Sequence, residues 1–212
     1  DYPRAHLHVD AVQALGKVSM NLNGVDSLSL SGHKFNGLKG QGLLIIKNIQ
    51  NIEPVVHGGG QEYGLRSGTV NLPMAVSMVK SIKLTMGRLD EASRKLNKMN
   101  QSVRTFLEEF RGVYINSPKD SAPQIINVSF LGVKGEVLVN AFSKHGVMIS
   151  TTSACSSKRG KLNEVLLAMG VPDVKIEGSI RISMGVHTTE EDIQRFKEVF
   201  EQVYEEVKEL LK

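Results

Sequence analysis

Short apolar runs separated by turns fill the first third of the chain. Residues 7–9 predict a short strand. Residues 26–31 (DSLSLS) alternate polar and apolar as a half-buried strand does, and residues 43–46 (LLII) form a continuous apolar run. Between the last two lies SGHKFNGLKGQG, and after them HGGGQEYGLRSGT, both glycine-rich and therefore loops.

The pattern then changes. Ile82, Leu89, Leu96, Val103 and Phe110 recur every seven residues, with Val79, Met86, Met99 and Phe106 beside them. This spacing predicts one amphipathic helix over residues 73–110, with Gly87 as the point of a bend or break. A helix of roughly thirty-five residues spans about 50 Å, a length suited to joining two domains. The last hundred residues alternate again. Strands are expected at 125–130, 147–150 and 179–183, and helices at 136–145 and 162–169, each closed by a glycine (Gly146, Gly170). A final helix is expected to start at a capping box, Thr188-x-x-Glu191, and to bury Ile193, Phe196, Val199, Phe200, Val203, Val207 and Leu210.

This order of elements predicts an α/β chain: residues 1–88 as the later part of a large domain with a mostly parallel sheet, and 89–212 as a small α+β domain. Composition agrees with a globular protein, at 41% hydrophobic and 23% charged residues. The net charge of +4 comes from Lys and Arg alternating with Asp and Glu on helix faces, so no direct nucleic-acid contact is expected. No apolar run reaches membrane-spanning length. A single cysteine, Cys155, excludes an intramolecular disulfide and, with no signal peptide in the first residues, makes the cytoplasm the expected compartment. There is no Walker motif, CxxC pair or HExxH, which argues against nucleotide-triphosphate and zinc chemistry. His57 and His145 lack metal-ligand spacing and are read as structural, and the methionines of the long helix as core filler.

Five stretches carry candidate chemistry. In Ser31-Gly32-His33-Lys34 a lysine follows a strand among small residues, as an amine nucleophile requires, and Ser31 and His33 can donate to a phosphate. Taken alone, the tetrapeptide reads better as an exposed lysine in a turn. In His8-Val9-Asp10-Ala11-Val12-Gln13 the aspartate ends a strand. Its carboxylate can hold a pyridinium nitrogen protonated and Gln13 can bond a ring oxygen, although Asp10 alone reads as a helix cap. Cys155 lies in a polar, small-residue segment, STTSACSS, expected to form an exposed and mobile loop suited to a thiolate nucleophile. Arg181, between Ile180 and Ile182, faces away from the apolar side of its strand and can grip a carboxylate in bidentate fashion, or simply be exposed. The glycine-rich segment 57–69, ending at Thr69, can approach a phosphate closely but is weak by itself.

In their order, HVDAVQ, SGHKFNG-KG, HGGGQE-GLRSGT, the SACSS segment and SIRISMG resemble the cysteine desulfurases of the NifS/IscS type, class V aminotransferase-family members of the fold-type I pyridoxal-phosphate enzymes. The resemblance implies the cofactor pyridoxal 5'-phosphate and the substrate L-cysteine, converted to L-alanine. It implies that Lys34 forms the Schiff base and moves protons, that Asp10 pairs with the pyridine nitrogen and Gln13 with the phenolic oxygen, and that Ser31 and His33 hold the phosphate. Thr69 would reach the phosphate of a neighbouring subunit's cofactor, making a homodimer. Arg181 would bind the substrate carboxylate, and Cys155 would become a persulfide. A sulfur-acceptor protein follows, either an iron–sulfur scaffold or a tRNA sulfurtransferase. The family's phosphate turn, its ring-stacking histidine and an asparagine near the ring oxygen are not in this sequence. The resemblance therefore also implies a C-terminal fragment that binds pyridoxal phosphate poorly by itself. The alternatives are a selenocysteine lyase or another class V aminotransferase-family enzyme, and, outside enzymes, a docking module with no dependence on Lys34.

Overall fold

The computed structural model describes residues 5–151 and 163–211. The chain divides between Ala92 and Ser93 into two compact units, each with its own apolar core.

The first unit is built on β1 (His8–Asp10), β2 (Ser27–Ser31) and β3 (Gly42–Ile46), in the order β1-β2-β3. β1 runs parallel to β2, with Asp10 opposite Ser29, and β3 returns antiparallel, with Gly42 opposite Ser31. The strand β1 starts one residue later than the apolar run suggests, because the Leu7 N–H is taken by the Asp26 carboxylate at 2.9 Å. The buried Ser27 hydroxyl lies 2.8 Å from His6 Nε2 and 2.7 Å from His8 Nδ1. A hydroxyl has one hydrogen, so at least one of the two imidazoles must donate to it, and the pair pins the start of β1 to β2. Beneath the sheet Ala11, Leu15, Leu28, Leu30 and Phe35 make the core with Met78 of α1 (Leu72–Met86). Helix α1 is capped by Asn71, whose side chain accepts the Met74 N–H at 3.2 Å. Apart from Met78 its apolar side chains are poorly covered, and Leu72, Val76 and Val79 are exposed.

The single helix expected over 73–110 is two. Helix α1 ends at Met86 and α2 runs Leu89–Leu107. Gly87 donates to the Lys83 carbonyl at 3.0 Å, but Arg88 donates to Thr85 at 3.2 Å, so an i−3 bond replaces the i−4 ladder for one step. Heptad spacing of apolar residues is insensitive to so small a slip, and Gly87 was its only mark in the sequence. Phe110 lies beyond the end of α2.

The second unit contains β4 (Val113–Ile115), β5 (Ile125–Phe130), α3 (Gly135–Lys144), β6 (Ser150–Thr151), α4 (Glu164–Ala168), α5 (Asp173–Ile176), β7 (Ser179–Ser183) and α6 (Glu190–Val207). The sheet order is β4-β5-β7-β6, antiparallel throughout. Leu96 and Val103 of α2, Phe130 of β5, Phe142 of α3 and Phe200 of α6 are fully buried together. Phe200 sits at the hub of their rings, 5.5 Å from Phe106, 4.9 Å from Phe110 and 5.3 Å from Phe130.

Several boundaries differ from the sequence reading. The strand expected at 147–150 pairs only as Ser150–Thr151. The capping box of α6 lies one residue on: Thr189 Oγ1 accepts the Asp192 N–H at 3.1 Å and Asp192 accepts the Thr189 N–H at 2.8 Å. Thr188 instead accepts the Gly185 N–H at 2.9 Å, within the turn before the helix. Leu210 lies past the end of α6 and is exposed, while the other six predicted core residues of that helix are buried. The strand β4 and helix α5 were not anticipated, being three and four residues long.

Candidate functional site

Two parallel strands of the first unit end side by side. Asp10 is the last residue of β1 and Ser31 the last of β2, and the chain leaves β2 directly into a 3₁₀ turn, Gly32–Phe35, that carries His33 and Lys34. Ligands of open α/β sheets are held at the carboxyl ends of parallel strands, and this is such an end. Asp10 Oδ1 accepts the Val12 N–H at 3.0 Å, which fixes the carboxylate where the strand turns away. The Ser31 hydroxyl and His33 Nδ1 are 3.0 Å apart, a hydroxyl and an imidazole on one turn.

The Lys34 turn is held from below. Phe35 is buried as its anchor, and Asn36 closes it in the left-handed region at φ 66°. Gly37 donates to the Gly32 carbonyl at 2.9 Å, and a Cβ at Gly37 would meet that oxygen at 2.9 Å, so glycine is required there. Thr85 of α1 donates through Oγ1 to the Phe35 carbonyl at 3.3 Å. The same Thr85 touches the segment after β1. A Cβ added at Gly16, whose φ is +74°, would fall 1.9 Å from Thr85 Cγ2. One side chain of α1 thus supports both loops that flank the strand ends.

On the segment after β1, Gln13 Oε1 accepts from Lys17 Nζ at 2.7 Å. The Lys17 ammonium is held below its ordinary pKa, first by burial and then by the positive charge of Lys34. Lys17 was missed in the sequence. Its one signal there is the four-residue spacing from Gln13.

The remaining predicted residues lie elsewhere. Thr69 is exposed at the end of the glycine-rich loop. That loop is tied to itself: Ser67 donates to the Gly59 carbonyl at 2.8 Å, and Gly68 donates to Gln61 Oε1 at 3.2 Å. Arg181 belongs to the second unit. It lies on β7 between the buried Ile180 and Ile182, with Asn127 of β5 and Ser150 of β6 opposite it on either side. Among the described residues its Nε is buried without a hydrogen-bond partner. Asn127 does not answer it, because its own Nδ2 donates to the Ile180 carbonyl at 3.0 Å and its Oδ1 accepts from Asn116 at 2.6 Å. A buried guanidinium N–H left unpaired is a donor awaiting an acceptor. Cys155 lies outside the described residues.

The donor set fits pyridoxal phosphate. An amine, a carboxylate, a carboxamide, a hydroxyl and an imidazole stand on adjoining elements of the first unit, matching the cofactor's aldehyde, ring nitrogen, ring oxygen and phosphate. Lys34, Asp10, Gln13, Ser31 and His33 would hold those groups in that order. Among the described residues no cluster of His, Cys, Asp and Glu suits a metal ion, and no helix is long and apolar enough to cross a membrane.

The model of the class-V aminotransferase family matches residues 2–196. The chain is 38% identical over 211 residues to a cysteine desulfurase IscS of Clostridium botulinum, covering 97% of this chain and 53% of that protein. It is 36% identical to a cysteine desulfurase IscS of Methanosarcina thermophila, covering 97% and 52%. Among solved structures, a NifS-like protein superposes with a TM-score of 0.85 at 36% identity, covering 95% of this chain and 53% of the other. A NifS-like protein from Rickettsia africae superposes at 0.82 with 29% identity, covering 95% and 54%. The chain spans about half the length of the relatives it matches.

Proposed function

The chain belongs to the class-V aminotransferase family, and on that premise we propose that it carries the lysine, the thiol and much of the cofactor site of a cysteine desulfurase. The reaction is L-cysteine plus the Cys155 thiol giving L-alanine plus a Cys155 persulfide. The carbon–sulfur bond of the substrate breaks, a sulfur–sulfur bond forms on Cys155, and the carbon that loses sulfur gains a proton. Pyridoxal phosphate, when bound, supplies an electron sink for the charge left on that carbon.

The observation that carries this reading is the meeting of the Asp10 end of β1 with the Lys34 turn at the end of β2. Lys34 binds the cofactor and then moves protons to and from the substrate carbon. Asp10 keeps the ring nitrogen protonated. Ser31 and His33 bind the phosphate, and Gln13 donates to the ring oxygen. Arg181 gives its unpaired N–H to the substrate carboxylate. The exposed Thr69 is free to reach the phosphate held by a second copy, which supports a homodimer. The persulfide is passed to an acceptor protein, either a scaffold for iron–sulfur clusters or a tRNA sulfurtransferase. Residues 1–88 are read as part of the large cofactor domain, and 89–212 as the small domain that brings Cys155.

Two variants of the intact protein test the reading. Lys34→Ala abolishes both the visible absorbance of bound pyridoxal phosphate and alanine release from L-cysteine. Cys155→Ala retains the absorbance but loses alanine release by more than about a thousandfold, as removal of a nucleophile does. Alanine release that survives Cys155→Ala would move the protein to a branch of the family that needs no thiol.

A further inference from the structure

We propose that Lys17 is a positioning residue of the cofactor site, holding the Gln13 carboxamide so that its NH₂ group faces the ring oxygen. This rests on the cofactor reading above.

Lys17 Nζ lies 2.7 Å from the Gln13 side-chain oxygen. An ammonium has donors only, so the amide atom it meets must be the oxygen, and the NH₂ group is turned away from it. The orientation of Gln13, which a carboxamide alone leaves open, is thereby fixed. The two residues lie on two successive tight turns, closed by Ala14 N–H to the Ala11 carbonyl at 2.9 Å and by Lys17 N–H to the Ala14 carbonyl at 3.0 Å. Gly16, having no Cβ, lets the second of these turns approach Thr85 of α1 closely.

Gln13 is exposed and its bond to Lys17 lies at the surface, but the Lys17 side chain is not placed as a surface lysine usually is. A lysine with only a solubility role extends its ammonium into water. Lys17 is half-buried, and its charge feels that of Lys34, a like charge from which a free side chain would turn. The Gln13 bond holds it there. Its placement makes sense if the carboxamide must be presented in one orientation beside the Lys34 amine.

The sign of the effect follows. A donor on the ring oxygen draws negative charge from that oxygen, and a cation nearby disfavours further positive charge. Both make the nitrogen contributed by Lys34 hold its proton less tightly.

The test is the pH midpoint of the visible absorbance of pyridoxal phosphate bound to the intact protein. Lys17→Met raises that midpoint by about one pH unit, whereas Lys17→Arg, which keeps the charge and the donors, stays near the original value. In a Gln13→Ala background the shift caused by Lys17→Met falls to less than about half. An unchanged midpoint in Lys17→Met overturns the proposal. So does an equal shift with and without Gln13, because Lys17 would then act by charge alone. If the unsubstituted protein binds no pyridoxal phosphate, the cofactor reading itself fails, and that result is seen before any Lys17 variant is made.

Discussion

Lys34, Asp10, Ser31, His33 and Gln13 could be named from the sequence because they stand in short runs whose residue types match the groups of one cofactor. Lys17 and Thr85 could not. Lys17 acts by where its ammonium points, and Thr85 by touching two loops 50 and 69 residues before it in the chain. Arg181 lay between the two cases. Its alternation with Ile180 and Ile182 located it on the polar face of β7, but the unpaired state of its Nε is a fact of three strands together. That state has a consequence for stability. Arg181→Met removes a buried donor with no acceptor and keeps most of the apolar stem. The melting stability of the substituted chain should be unchanged or rise by about 1 kcal/mol, while in the intact protein the KM for L-cysteine rises. A clear loss of stability would show that the guanidinium is satisfied by the fold itself and is not reserved for a substrate.

Elements with their own apolar period or β-rich run were legible: β2, β3, β5, β7 and α6 formed close to where the pattern put them. The failures share a cause, which is that hydrogen bonding at the ends of elements follows contacts that hydropathy does not record. Gly87 divides a continuous apolar stripe because one i−3 bond interrupts the ladder. β4 is only three residues long and is made a strand by Phe130 and its neighbours on β5. The cap of α6 is the sharpest case, since Thr188 and Thr189 are adjacent and chemically identical. The reciprocal bonds with Asp192 belong to Thr189, so Thr189→Ala should cost about 1 kcal/mol of stability and Thr188→Ala less than about half of that. Urea denaturation of the two variants side by side checks the assignment.

In the molecule as a whole the two units are unequally built. The core of the second joins three helices to a four-stranded sheet around Phe200, whereas that of the first gathers six buried apolar side chains among the described residues and leaves Leu72, Val76 and Val79 of α1 exposed. Local opening is easiest where little apolar surface is covered. Amide hydrogens of β5, β7 and α6 should therefore exchange last, and those of β1 and β3 much earlier; equal protection in both sheets would mean that the chain opens only as one unit. The candidate cofactor residues sit in the less protected half, and there the contact between Gly16 and Thr85 has a further consequence for inheritance. Position 16 accepts no side chain while a threonine methyl stands 1.9 Å from its missing Cβ, and its φ of +74° already disfavours any. Position 85, for its part, must keep a hydroxyl to serve Phe35. Change at this pair is therefore ordered: serine, which keeps the hydroxyl and drops the methyl, has to arrive at 85 before asparagine or any other residue tolerant of positive φ can settle at 16.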